Sequence, residues 1–239
     1  MPGARANVLL ALLLIAALRA PNAAAQGALP PDESRTLGQP VADVVLVDAD
    51  GNPLALRSLA GRPVVVSPIF TRCRQTCPAI TASLAHAVAQ VGTPGEDFEV
   101  LSVSFDVADT PADLAQYRAR MHLPEGWKLA RADSEVLLPF LDSIDFRFIS
   151  GTSGGFTHPN LVVVLTPELR VAKYLYGTAF EEDDLRAALA LARGEGAAWQ
   201  GLAPYLFVAG VIGALLAAFV VALLIGRIRS GASQRAGSS

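Results

Sequence analysis

Two cysteines, three histidines and two methionines are all the soft or borderline metal donors this 239-residue chain carries. With no other cysteines, a multi-bridge disulfide scaffold is excluded. Two thiolates alone also fall short of the four ligands that a structural zinc site usually takes. Positive charge is scarce as well. The net charge is −3, and all 22 acidic residues lie between Asp32 and Glu195 against 14 Lys and Arg in residues 26–200. A stretch with that balance lacks the basic surface that drives phosphate binding, so nucleic acid is not an expected partner. Internal repeats are also absent.

Charge is missing altogether from two apolar runs. Val8 to Leu18, behind Arg5, holds 11 residues, too few to cross a hydrocarbon core of roughly 30 Å as a helix. Ala23, Ala24 and Ala25 follow, where a signal peptidase reads small side chains. The pattern predicts a signal peptide over residues 1–25, the alternative being an uncleaved anchor. Leu202 to Ile225 is 24 residues without a charge, long enough to span a bilayer. Tyr205 and Phe207 stand near one end, and Arg227, Arg229 and Arg235 follow the other. The positive-inside rule then makes the tail cytoplasmic. The expected layout is a flexible lead-in at 26–40, a globular domain at 41–193 and a linker at 194–201. A transmembrane helix at 202–226 and a cytoplasmic tail at 227–239 complete it. This arrangement predicts a single-pass protein of the bacterial inner membrane with its soluble domain in the periplasm.

Within the domain, VADVVLVDADGNPLAL reads as two short strands about Asp50-Gly51. Val64 to Phe70 reads as a buried central strand. Ile80, Leu84, Val88 and Val91 recur at helical spacing after the cysteines, and Gly92 closes that helix. FEVLSVSFD is a strand, and the next helix starts at Thr110-Pro111. Strands are expected at Trp127–Ala130, Phe146–Ile149, Leu161–Leu165 and Arg170–Tyr176, with helices at Ser134–Leu141 and Glu181–Arg193. Alternation of this kind predicts an α/β fold: a mixed central sheet flanked by helices. The cysteines lie where a central strand passes into a helix, as the redox pair of a thioredoxin-like fold does.

Cys73 and Cys77 are separated by three residues, and Pro78 suits a first helical turn. A structural bridge over so short a loop contributes on the order of 2 kcal/mol or less. A domain of this size has enough core to do without it. A thiolate at a helix N-terminus is favoured by the partial positive charge there, with Arg72 and Arg74 adding to it. Such thiolates serve disulfide exchange or soft-metal binding. Copper(I) accepts few ligands and prefers sulfur, with imidazole an acceptable third donor. His86 lies roughly 13 Å along the helix from Cys77 and is out of reach. His122 ends a helix. His158, in a glycine-rich loop just before Leu161–Leu165, is the candidate third donor.

Three segments, in order, resemble the Sco/SenC family of thioredoxin-like copper proteins. They are GRPVVVSPIFTRCRQTCP, LSVSFDVADTPADLAQYRARM and THPNLVVVLTPELRVAKYLYG, within residues 38–193. The resemblance implies copper, as Cu(I) and also Cu(II), held by Cys73, Cys77 and His158. It implies delivery to the copper-bearing subunit of cytochrome c oxidase or exchange with another copper chaperone. It also leaves open a thiol-disulfide oxidoreductase working through Cys73 and Cys77 without obligatory metal. Asp106 and Asp109 match the family's acidic turn and are not expected to be ligands. Thr157 stands where the family usually has an acidic residue, which would remove a partner for the imidazole.

Overall fold

The computed structural model describes residues 30–151, 155–195, 205 and 208–213. The expected signal peptide, most of the expected linker and membrane span, and the expected tail lie outside them. Among the described residues, no helix is long and apolar enough to cross a membrane.

The chain folds in the order α1 (Glu33–Thr36), β1 (Val45–Asp48), β2 (Pro53–Ala55), a 3-10 turn (Leu56–Leu59), β3 (Val64–Ile69) and α2 (Thr76–Val91). It continues through β4 (Glu99–Ser104), α3 (Pro111–Met121), β5 (Trp127–Arg131) and α4 (Ser134–Ser143). The last elements are β6 (Ile149–Ser150), β7 (Phe156–Thr157), β8 (Leu161–Leu165), β9 (Val171–Tyr176) and α5 (Glu182–Ala192). Seven strands make one sheet in the order β2-β1-β5-β4-β3-β8-β9. The neighbours of β4 are parallel to it, and the outer pairings are antiparallel. The expected mixed α/β architecture is therefore present.

β3 and β4 sit at the centre, and every residue of each is buried. This follows from near-continuous apolar runs, which suit strands covered on both faces. Ser102 is tolerated in this core because its Oγ accepts from the Trp127 indole N–H at 3.0 Å. Helix α2 turns Ile80, Leu84 and Val88 inward, as their spacing predicts. Helix α3 begins in a capping box: Thr110 receives the Asp113 amide, and the Asp113 carboxylate receives the Thr110 amide. Both its start and Pro111 at the first position agree with the sequence.

The sheet register explains how distant segments meet. β3 and β8 run antiparallel with Val64 opposite Leu165 and Val66 opposite Val163. Continued past the strand ends, that register sets residue 158 opposite residue 71. The C-terminal end of the parallel neighbour β4 lies at the same edge. The loop after β3, the turn after β4 and the approach to β8 therefore converge.

Two expectations need correction. Residues 32–40, part of the flexible lead-in expected at 26–40, are tied to the domain. The Asp32 amide donates to Asp145 at 2.7 Å, Thr36 is buried, and Tyr176 donates its hydroxyl proton to Glu33 at 2.8 Å. Backbone bonds from Val41 to Leu169 and from Val171 to Gln39 extend the sheet edge. Phe146–Ile149 is not one strand either. Only Ile149 and Ser150 pair, with Thr157 and Phe156, because the preceding phenylalanines turn into an aromatic cluster.

Candidate metal and redox centre

Cys73 lies in the loop between β3 and α2, and Cys77 is the second residue of α2. Both are free thiols, Cys77 buried and Cys73 half-buried. A turn from the Cys73 amide to the Phe70 carbonyl, 3.2 Å, shapes the loop. The Cys73 sulfur is turned back over the helix start, where the Cys77 amide donates to it at 3.3 Å. Thr76 Oγ1 lies 3.8 Å from the same sulfur.

The helix N-terminus thus acts on Cys73 rather than Cys77. Burial raises the Cys73 pKa, but N–H donors from Cys77 and Gln75 outweigh it and hold the thiol below its ordinary value. At Cys77, burial dominates and pushes the thiol well above its ordinary value. The stabilisation expected of a thiolate at the helix N-terminus is thus found at Cys73, and at Cys77 burial outweighs it. Arg72 does not have the predicted part. Arg72 pairs with Asp106, directing its charge to the turn after β4.

His158 meets the cysteines from the other side. Its Nε2 lies 4.0 Å from Cys77 Sγ. Nδ1 lies 3.0 Å from the Pro159 carbonyl, a contact in which the ring donates its N–H. That fixes the tautomer with Nε2 unprotonated and aimed at sulfur, a usual arrangement in ligating histidines. The orienting partner thought lost at Thr157 is supplied by the backbone one residue beyond the histidine. The ring stands among Phe70, Phe105 and Phe146, with centroids at 6.3, 5.0 and 5.8 Å. Burial there lowers the imidazole pKa, against the opposing hydrogen bond to Pro159.

Three residues that the sequence did not single out as functional hold the cysteine loop. Asp109 accepts from the Thr71 amide at 2.8 Å, from Thr71 Oγ1 at 2.7 Å and from Ser104 Oγ at 2.6 Å. Arg120 donates to the Thr71 carbonyl at 2.8 Å. Asp106 completes the set through Arg72. The acidic turn was visible, but its partners depend on the parallel β3–β4 register. His86 and His122 are both exposed. His122 caps α3 in the left-handed conformation, with φ of 52°.

Two thiols and a neutral imidazole form a soft donor set. Among the described residues, no group of three or more His, Cys, Asp or Glu is already drawn together for a metal ion. Cys77 and His158 are adjacent, while the Cys73 sulfur is engaged with the helix start.

The SCO1/SenC family model matches residues 34–124. A crystal structure from Aquifex aeolicus VF5, provisionally described as an electron transfer protein, shares 44% identity with a TM-score of 0.66, covering 67% of this chain and 96% of that one. The chain belongs to the SCO1/SenC family. Copper-bound ScoI of Bradyrhizobium japonicum has the same fold at 18% identity and a TM-score of 0.54, covering 63% of this chain and 98% of that one. So does BsSco, a member of the Sco family of cytochrome c oxidase assembly proteins with an identified disulfide switch. There identity is 24% and the TM-score 0.57, covering 66% of this chain and 95% of that one. No curated protein matches the chain.

Proposed function

We propose that this SCO1/SenC protein is a membrane-tethered periplasmic copper chaperone. One copper ion is its cargo, taken by Cys73, Cys77 and His158 and passed to the copper centre of cytochrome c oxidase. The 4.0 Å approach of His158 Nε2 to Cys77 Sγ carries this reading. Those residues are 81 apart in sequence, and the soft donor types match Cu(I). Swinging the half-buried Cys73 sulfur off the helix start brings in the third donor. Copper bound to Bradyrhizobium japonicum ScoI supports the choice of ion. The uncharged run Leu202–Ile225 supports the tether, which raises the domain's effective concentration near a membrane-embedded recipient.

Titration of the reduced full chain with Cu(I) tests this. One ion per chain is expected, with sulfur and nitrogen donors in the X-ray absorption spectrum. Cys73→Ser, Cys77→Ser and His158→Ala are each expected to weaken binding. Parental affinity in all three variants would sink the assignment.

The unequal thiols favour a second activity of the same pair. An accessible thiol with lowered pKa beside a buried, protonated one is the division of labour of thiol-disulfide exchange, with Cys73 attacking and Cys77 resolving. Under that reading the protein reduces cysteines of an oxidase subunit, and His158→Ala leaves the exchange intact.

A further inference from the structure

Cys73 has a second neighbourhood, on the side facing α3. A cavity of about 600 Å³ opens there, lined by Cys73, Arg72, Arg74, Asp113, Arg120 and Met121 among others. Its size is that of a small-molecule site. Its charge is opposite to that of the domain, which carries 22 acidic against 14 basic residues. Three guanidinium groups face one carboxylate.

The local bonding sharpens this imbalance. Asp113 is engaged with the Thr110 amide and hydroxyl, at 2.8 and 2.6 Å. Arg72 is paired with Asp106. Arg120 gives one N–H to the Thr71 carbonyl and lies over the Tyr117 ring, 5.0 Å from its centroid. Neither Arg74 nor Arg120 pairs with a carboxylate among the described residues. Two guanidinium groups without a carboxylate partner among the described residues therefore line the cavity beside Cys73, Arg120 with only one N–H given to Thr71. Guanidinium binds carboxylate in a bidentate fork.

We propose that this cavity binds a low-molecular-weight thiol bearing two carboxylates, of tripeptide size, and presents its sulfur to Cys73. The inference rests on the reading of Cys73 and Cys77 as a redox pair and names that pair's reductant. The substrate thiolate attacks Cys73 Sγ in the Cys73–Cys77 disulfide. The sulfur–sulfur bond breaks, and Cys77 leaves as a thiolate that takes a proton. A second substrate thiolate then attacks the substrate sulfur of the mixed disulfide. Cys73 is released as a thiolate and the substrate departs as its own disulfide. Two electrons pass to the protein, and two thiols become one disulfide. Cys77, facing His158, never has to meet the substrate.

Glutathione and its diethyl ester serve as probes because they share a thiol and differ in carboxylate charge. The oxidised full chain is mixed with each, and reduction is followed by rapid quench at low ionic strength. Rates are compared per thiolate. The expected result is reduction about tenfold faster with glutathione, a preference that fades in high salt as screening shortens the reach of the arginines. Arg74→Glu is expected to abolish or invert the ratio of the two rates, and Arg120→Glu to do the same. Taking the ratio removes any general change in disulfide reactivity. Should Arg120→Glu fail to fold, Arg74→Glu and the salt series decide. Equal rates with the two probes in the parent chain would overturn the cavity's role, as would a preference unchanged by Arg74→Glu and by salt. Failure of both probes to reduce the pair would remove the redox reading beneath it. Reduction of the pair without charge preference would overturn the cavity alone.

Discussion

The Asp109 carboxylate accepts both the amide and the hydroxyl of Thr71, at 2.8 and 2.7 Å, from 38 residues away. Thr71 is two residues before Cys73, so this contact sets where the cysteine loop leaves β3. Asp109 is 1% exposed and also receives Ser104 Oγ. Three donors converge on one buried acid. Asp109→Asn turns one acceptor oxygen into a donor facing them, and Asp109→Ala leaves the Thr71 amide without a partner. A cost of about 2–3 kcal/mol is expected from a buried unsatisfied group. Urea unfolding measures it as a lower midpoint at unchanged slope. The same variants are expected to weaken Cu(I) binding. A stability loss with parental copper affinity would show that the loop position does not matter for the site.

The two thiols are expected to differ sharply in reactivity. Cys73 is half-buried with its pKa held down by amide donors, and Cys77 is buried with its pKa raised. Alkylation follows the thiolate. Iodoacetamide labelling of the reduced chain at neutral pH, mapped by mass spectrometry, should modify Cys73 at least about tenfold faster than Cys77. Its rate should rise with pH through a midpoint below the ordinary thiol range, with Cys77 following only at much higher pH. Equal labelling at pH 7 would contradict the asymmetry.

Much of this centre was legible in the sequence, and what was not has physical causes. The strand–loop–helix around Cys73 and Cys77 follows from the apolar run Val64–Ile69, then Pro78 and a helical repeat. The start of α3 follows from Thr110-Pro111. His158 stood out because it precedes an apolar strand, but only the antiparallel register of β3 with β8 brings it to Cys77. The roles of Asp109 and Arg120 depend on where β4 and α3 end in space, which local patterns do not encode. The ordering of thiol pKa values was missed because burial, not position near the helix start, decides Cys77. The short helix Glu33–Thr36 has little periodicity to betray it and is held by contacts to Asp145 and Tyr176 far along the chain.

Glu99 provides a test of the frame away from the centre. It is 2% exposed at the start of β4 and pairs with Arg62, and with Lys128 at 2.9 Å. Burial raises its pKa, but hydrogen bonds and charge from Lys128 and Arg62 outweigh this and hold it below the ordinary 4.5. The unfolded chain therefore binds the proton more readily than the folded one. The stabilisation is present above the ordinary value and is lost as pH falls through the lower folded value. Glu99→Gln is expected to cost about 1–2 kcal/mol at pH 7, since its partners are partly solvated. The cost should shrink as pH drops below 4.5, because the parent then loses what the variant already lacks. Urea unfolding of both chains from pH 7 to 3 measures it. A constant difference across that range would mean the carboxylate charge contributes nothing.

His158 makes the last prediction, and its sign is opposite to that of a paired histidine. Burial among Phe70, Phe105 and Phe146 favours the neutral ring and lowers its pKa below 6.5, with the Pro159 carbonyl opposing. The unfolded chain takes up its proton first on acidification. Stability is thus unaffected above 6.5 and declines as pH falls from there toward the folded value, below which no further loss arises from this group. Nitrogen-detected NMR of the metal-free reduced chain should show a neutral His158 with the proton on Nδ1 at pH 6.5. Phe105→Ala removes the ring nearest in contact, at 5.0 Å, and admits water. The pKa of His158 should then move up toward its ordinary value. A midpoint at or above 6.5 in the parent chain would show that the aromatic wall does not keep this imidazole neutral.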